Sequence, residues 1–243
     1  MKIQLNIPTK WNDIPPKTLE RIAFATTYTS PGVELDFKIF FALINLRWWQ
    51  IRKYLKARKI LKIIPINTLK DFWAFIYTSA DLTKFIPVIK VNSKIFFAPA
   101  NRMNNISAEQ FALCEDLIFH FNQTKNIEYV RYVAAVLYLE QNKPFNKSNL
   151  DAKVKSFRNV KEKTLLAIAF AYKGSSLEIQ QNYPFVFKKI KTPTEKRKAS
   201  APDFGKTIHF LAKTSNVFNG LAEAKKVNVH DFLHELNQYL KHN

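Results

Sequence analysis

The sequence predicts a mainly α-helical, multi-helix globule with one small β-hairpin at about 86–97 and a basic linker ahead of a C-terminal helical tail. Three observations lead there. Apolar residues recur at three- and four-residue spacing along most of the chain. Only four glycines occur in 243 residues, Gly32, Gly174, Gly205 and Gly220, and each falls between stretches of helical periodicity, where helix stops are expected. One segment alone, from Phe85 to Pro99, changes to β-branched and aromatic runs. A hydrophobic content of 47% with 21 Phe supplies ample core and excludes disorder as the main state.

Taken in order, Lys2 to Ile7 alternates at period two and predicts a short strand before Pro8. Pro15 and Pro16 suit a first helical turn, and Leu19, Ile22 and Ala23 follow at helical spacing, so a helix is expected over 16–28. Phe37, Phe40, Phe41, Ile44 and Trp48 make an aromatic stripe expected in the core. Continued through Ile51 and Leu55, the same periodicity places Arg52, Lys56 and Lys59 together on one face. After Pro65, Asn67 is read as the cap of a helix carrying Leu69, Phe72, Trp73 and Ile76. Runs 86–91 and 94–97, joined by Asn92-Ser93, form the hairpin, with the N-terminal segment as a candidate third strand; Ser resists positive φ, so this turn signal is weaker than Asn-Gly.

Ser107 and Gln110 have capping-box spacing ahead of Phe111, Leu113, Cys114, Leu117, Ile118 and Phe121. Asn126 caps a helix through Tyr129, Val133, Val136 and Leu137, and a further helix is expected from Ser148 to Tyr172, stopped by Gly174. Residues 188–202 hold six cations, one Glu and two prolines, the composition of a linker. They divide a body at 1–187 from a tail at 203–243. In that tail Ile208, Leu211 and Ala212 predict a short helix, and Asn228 caps a last one with Phe232, Leu233, Leu236 and Leu240 on one face.

Charge is the strongest functional signal. The chain carries 38 basic against 19 acidic residues, a net charge of +19, and the stretch between Asp36 and Asp71 holds nine Lys or Arg with no acid. Uncompensated cations repel one another, so such a stretch answers to polyanions or to an acidic partner surface. The candidate binding residues are Arg47, Arg52, Lys53, Lys56, Arg58 and Lys59, with Lys188, Lys189, Lys191, Lys196, Arg197 and Lys198 in the linker. Trp49 and Tyr54 lie among these cations and could stack on bases, which keeps non-specific nucleic-acid binding open as the alternative.

Signals of chemistry are weak. There is no Gly-rich phosphate loop and no nucleophile elbow, so the chain is expected to be no enzyme and to need no cofactor. Cys114, the single cysteine, cannot close an internal disulfide and reads as core. His230 and His234 stand at i, i+4 with no third ligand apparent, and read as solvated helix residues rather than a metal site. Glu115-Asp116 and Asp151 do not pair into an acid–base site. No apolar run approaches the roughly 20 residues that span a bilayer, and the N-terminus lacks the apolar core of a signal peptide, so a soluble protein without membrane partners is expected.

Several motifs together carry a resemblance. They are Ile-Pro-x-x-Trp11-Asn-Asp-Ile14, the Phe/Leu-rich helix at 37–44, Asp81-Leu-Thr-Lys-Phe-Ile-Pro87, the run from Pro99 to Phe111, Ala134-Ala-Val-Leu-Tyr138 and Asn228-Val-His-Asp-Phe-Leu233. In this order they resemble uncharacterised phage and prophage proteins of Bacteroidetes-type bacteria that are similar to tail-morphogenesis, tail-assembly-chaperone-like proteins. The resemblance implies a non-catalytic protein of the bacterial host cytoplasm or of the virion itself. It would bind other phage structural or assembly proteins.

Overall fold

The computed structural model describes residues 7–45, 50–78, 81–187, 204–214 and 217–242, without the side chain of Lys53. Among these residues stand twelve α-helices and one three-stranded antiparallel sheet, so the fold is mainly α with a small hairpin. The strand expected at the N-terminus and the linker at 188–202 lie, but for Ile7, outside the described residues.

Helix α1 (Pro16–Tyr28) begins on the proline pair, where a missing N–H costs nothing. Helix α2 (Val33–Ile44) starts at Gly32, whose φ of 154° suits glycine, and closes at Asn45 in the left-handed region. Its buried face differs from the expected stripe. The core takes Leu35, Ile39, Phe40 and Leu43, while Phe37 is exposed, Phe41 and Ile44 are half-buried, and Trp48 lies outside the described residues. This helix is apolar almost all round, so periodicity leaves its inward face open, and packing on α1 and against Trp73 (ring centroids 5.9 Å from Phe40) selects it.

Helix α3 (Ile51–Ile63) follows, then the short α4 (Ile66–Leu69), a 3-10 turn at Lys70–Trp73 and α5 (Phe75–Thr78). Asn67 is not a cap: the chain turns helical directly after Pro65, which places Asn67 inside α4. Strands β1 (Val88–Val91) and β2 (Lys94–Phe97) form the hairpin in register, Val91 opposite Lys94. Its turn puts Asn92 at φ 46° and Ser93 at φ 65°, the two positive angles of a type I′ turn. Serine pays steric strain there that glycine does not. Ser93→Gly is therefore expected to raise stability by about 0.5–1 kcal/mol, read as a higher urea midpoint at unchanged m-value.

Helices α6 (Ala108–Thr124) and α7 (Ile127–Leu137) start as their caps predict. Ser107 Oγ accepts from Gln110 N at 3.2 Å, Gln110 Oε1 accepts from Ser107 N at 3.0 Å, and Asn126 Oδ1 accepts from Glu128 N at 3.0 Å. The third strand is β3 (Leu139–Glu140), which pairs with β2 through Phe96 opposite Glu140. The single helix expected from Ser148 is broken. Helix α8 (Leu150–Ser156) ends in a 3-10 turn at Phe157–Asn159, because Phe157 is wholly buried against Phe96 of the hairpin, centroids 4.9 Å apart. Helix α9 (Glu162–Asn182) then runs straight through Gly174, which sits beside Ser175 and Ser176 on a buried face; Ser175 Oγ donates to Thr83 O at 3.5 Å. Small residues there let the chain after Asp81 lie close.

The tail comprises α10 (Phe204–Thr214), with Gly205 inside its first turn, α11 (Leu221–Lys226) and α12 (Val229–His242). Asn228 caps α12 by accepting from His230 N at 2.9 Å. All three helices pack on α6. Backbone bonds bracket the α6 start, Ala108 N to Val227 O at 2.9 Å and Val229 N to Ile106 O at 3.0 Å. The core runs from α2 through α1, α9 and α7 to α6 and on into the tail.

Candidate docking surface on α3

Helix α3 is held by few contacts. Ala57 and Ile60 are buried, Leu61 is half-buried, and Tyr54 lies nearly parallel to Phe41 of α2 with centroids 6.0 Å apart. Everything else described on the helix faces solvent. Ile51 is 64% exposed, Leu55 56% and Ile63 71%, which corrects the expectation that Ile51 and Leu55 continue a buried stripe. The apolar contact is made instead on the Ala57–Ile60–Leu61 side, since six basic residues in thirteen positions leave that side as the one able to enter a core without burying charge.

The nine cations between Asp36 and Asp71 divide into groups. Lys38 pairs with Glu34 at 2.6 Å, and Lys70 lies 3.7 Å from the buried Asp36, with its ammonium 4.6 Å over the Tyr77 ring. Tyr77 donates to Asp36 at 2.6 Å. Those two cations are structural. Arg52, Lys56, Arg58, Lys59 and Lys62 are exposed, and among the described residues none has a carboxylate within ion-pair distance. The predicted face of Arg52, Lys56 and Lys59 is thus brought together, and Lys62 joins it. Arg47, Trp49, the Lys53 side chain and all six linker cations, Lys188, Lys189, Lys191, Lys196, Arg197 and Lys198, lie outside the described residues. Tyr54 has one ring face occupied in holding α3 to α2.

At 100° per residue, Ile51, Leu55 and Ile63 fall inside the same solvent-facing arc as the five cations. Sequence reasoning saw the charge and missed this mixture, because it read every apolar side chain as core.

Cys114 and Glu115 are accounted for by packing. Burial pushes the Cys114 thiol well up, with Glu115 adding to it, so a thiolate is disfavoured. Glu115 accepts from Ser176 Oγ at 2.6 Å and Tyr172 Oη at 2.8 Å. Burial raises its carboxyl, the two hydrogen bonds work the other way, and Asp116 raises it further. A carboxyl whose folded pKa is raised holds its proton better in the native state, so its stability contribution is full below the unfolded value and is lost as pH climbs through the folded one. Glu115→Gln keeps an acceptor for both hydroxyls and removes that loss. It is expected to raise the melting temperature at pH 7 and to change it less at pH 4.

His230 is tethered rather than solvated as expected: its Nδ1 lies 3.3 Å from Tyr183 Oη and its Nε2 3.2 Å from Arg102 O. His234 is exposed. Among the described residues no group of three potential ligands gathers around a metal position, and no helix is long and apolar enough to cross a membrane.

No family model matches this chain, and no curated protein or solved structure matches it either. What fold and surface define is a mainly α protein that presents one basic, partly apolar helix to solvent.

Proposed function

We propose that this chain is a non-catalytic binding protein that docks an acidic protein surface on α3, and that its setting is phage or prophage virion morphogenesis, as a tail-assembly or tail-associated factor in the host cytoplasm. One observation carries the docking: five cations with no ion-pair partner among the described residues share a solvent-facing arc with three exposed aliphatic side chains. Cations alone would suit any polyanion. Exposed Ile51, Leu55 and Ile63 favour a protein, because phosphate backbones offer no apolar surface to cover them, whereas protein interfaces bury an apolar centre inside a charged rim. A net charge of +19 would steer an acidic partner towards this face. The phage setting is supported by the motif order from Trp11 to Leu233.

The experiment places a photo-crosslinking amino acid at Leu55 in the full chain and irradiates induced or infected cells. The expected product, after nuclease treatment, is a conjugate to an acidic face of a virion or assembly protein. Conjugates to nucleic acid alone, lost on nuclease treatment, would replace this reading with the non-specific nucleic-acid one.

A further inference from the structure

Between the hairpin, β3 and α8 lies a cavity of about 440 Å³. Val91, Phe96, Leu139, Phe145 and Leu150 give it apolar walls. Lys153 of α8 projects its amine over the two buried rings Phe96 and Phe157, 5.4 and 5.9 Å from their centroids. Among the described residues no acceptor holds that amine in a hydrogen bond or ion pair. The other titratable groups lining the cavity are Lys94, Glu140 and Lys143. They satisfy one another: Glu140 pairs with Lys94 at 3.3 Å and also with Lys143, and both lysines remain well exposed. On α8 itself, Asp151 is engaged by Tyr132 Oη at 3.0 Å, and Lys155 faces solvent.

Burial lowers the Lys153 pKa to about 8, with Glu140 acting in the opposite direction. An apolar, partly enclosed amine is the environment in which lysine becomes a nucleophile near neutral pH.

We propose that Lys153 is an imine-forming amine, and that its cavity takes a small aldehyde or keto compound bearing a phosphate or carboxylate. The neutral amine adds to the carbonyl carbon, forming the C–N bond. The carbonyl oxygen takes up two protons, formally those of the amine, and leaves as water, so that one C=N bond replaces one C=O bond with no redox change. The cations Lys94 and Lys143, at the exposed side, would receive the anionic group. This is a stoichiometric ligand site; it is separate from the α3 surface and does not rest on the docking reading.

The test treats the full chain with pyridoxal phosphate, an aldehyde with a phosphate, at pH 7.4. Borohydride then reduces any imine to a stable secondary amine, and peptide mapping locates it. At that pH an amine with a pKa near 8 is neutral on the order of 100 times more often than an ordinary lysine near 10.4. Lys153 is therefore expected to be labelled first, at about one equivalent, with a pH midpoint near 8. Lys153→Arg should remove that label, and 5′-deoxypyridoxal, which lacks the phosphate and keeps its aldehyde free, should react at least tenfold more slowly. If Lys153→Arg does not fold, the pH midpoint at Lys153 in the unaltered chain decides. Labelling spread evenly over exposed lysines, or a midpoint near 10, overturns the imine site; equal rates for the two aldehydes overturn the anionic ligand.

Discussion

Phe111→Ala is expected to lower the unfolding free energy by about 3–5 kcal/mol, the usual loss for a fully buried ring. Phe111 stands in the first turn of α6, 1% exposed, with its ring 5.3 Å from Phe204 of α10 and 6.3 Å from Tyr172 of α9. One side chain therefore joins the tail to the body. Alanine would leave a cavity on both sides of α6, and the neighbouring aromatic rings are too large to collapse into it. In urea the midpoint should fall sharply within a single transition, and amide exchange should accelerate in α10 as well as in α6. Phe111→Leu, which keeps most of the volume, should cost much less. A loss below about 1 kcal/mol for the alanine variant, or accelerated exchange in α6 only, would mean that the tail contributes little to this core.

Reversing three charges together, Arg52→Glu, Lys56→Glu and Lys59→Glu, is expected to weaken partner docking about 100-fold. Each exposed contact at a charged rim contributes about 1 kcal/mol, and roughly 3 kcal/mol corresponds to two decades in Kd. Stability should stay within about 0.5 kcal/mol, since the three side chains are exposed and none is ion-paired among the described residues. Unchanged thermal melting beside lost binding separates a surface effect from unfolding. The paired variant Ile51→Ser with Leu55→Ser distinguishes the kind of partner. A protein surface that covers these side chains loses affinity when they become polar, while a phosphate backbone held by the cations alone does not. Measured against salt, affinity should fall in either case, so the aliphatic pair and not the ionic strength gives the decisive reading.

Local signals in the sequence translated directly into local structure. The proline pair at 15–16, the Ser107–Gln110 box and the Asn126 and Asn228 caps begin helices where expected, because a cap is satisfied by backbone N–H groups two or three residues away and needs no tertiary partner. The Asn92-Ser93 turn formed for the same reason in spite of its weaker chemistry. Apart from Asn67, which the helix start after Pro65 displaces from its expected cap position, the deciding contact was distant in sequence wherever the reading went astray. Phe157 breaks the helix begun near Ser148 because Phe96, sixty-one positions earlier, covers it; Gly174 fails to stop α9 because it is buried together with Ser175 and Ser176 against the chain after Asp81. The third strand came from 139–140, since Leu139 and Glu140 are placed beside β2 by the end of α7 and the hydrogen bond from Tyr138 Oη to Ile86 O at 2.7 Å.

The candidate surface divides along the same line. That the segment between Asp36 and Asp71 is overwhelmingly basic could be read without coordinates, as could the shared face of Arg52, Lys56 and Lys59, because helical spacing is a property of the chain alone. Which apolar residues join them could not. Ile51, Leu55 and Ile63 look like core in any periodicity, and only the position of α2 beneath α3 leaves them outside. The Lys153 cavity is further still from the sequence, for its walls come from the hairpin, β3 and α8. Composition and spacing thus determined a helical, strongly cationic protein with most of its helix starts in place. Tertiary packing decided which sides of those helices meet water, because burial is set by neighbours that the spacing within one helix does not specify.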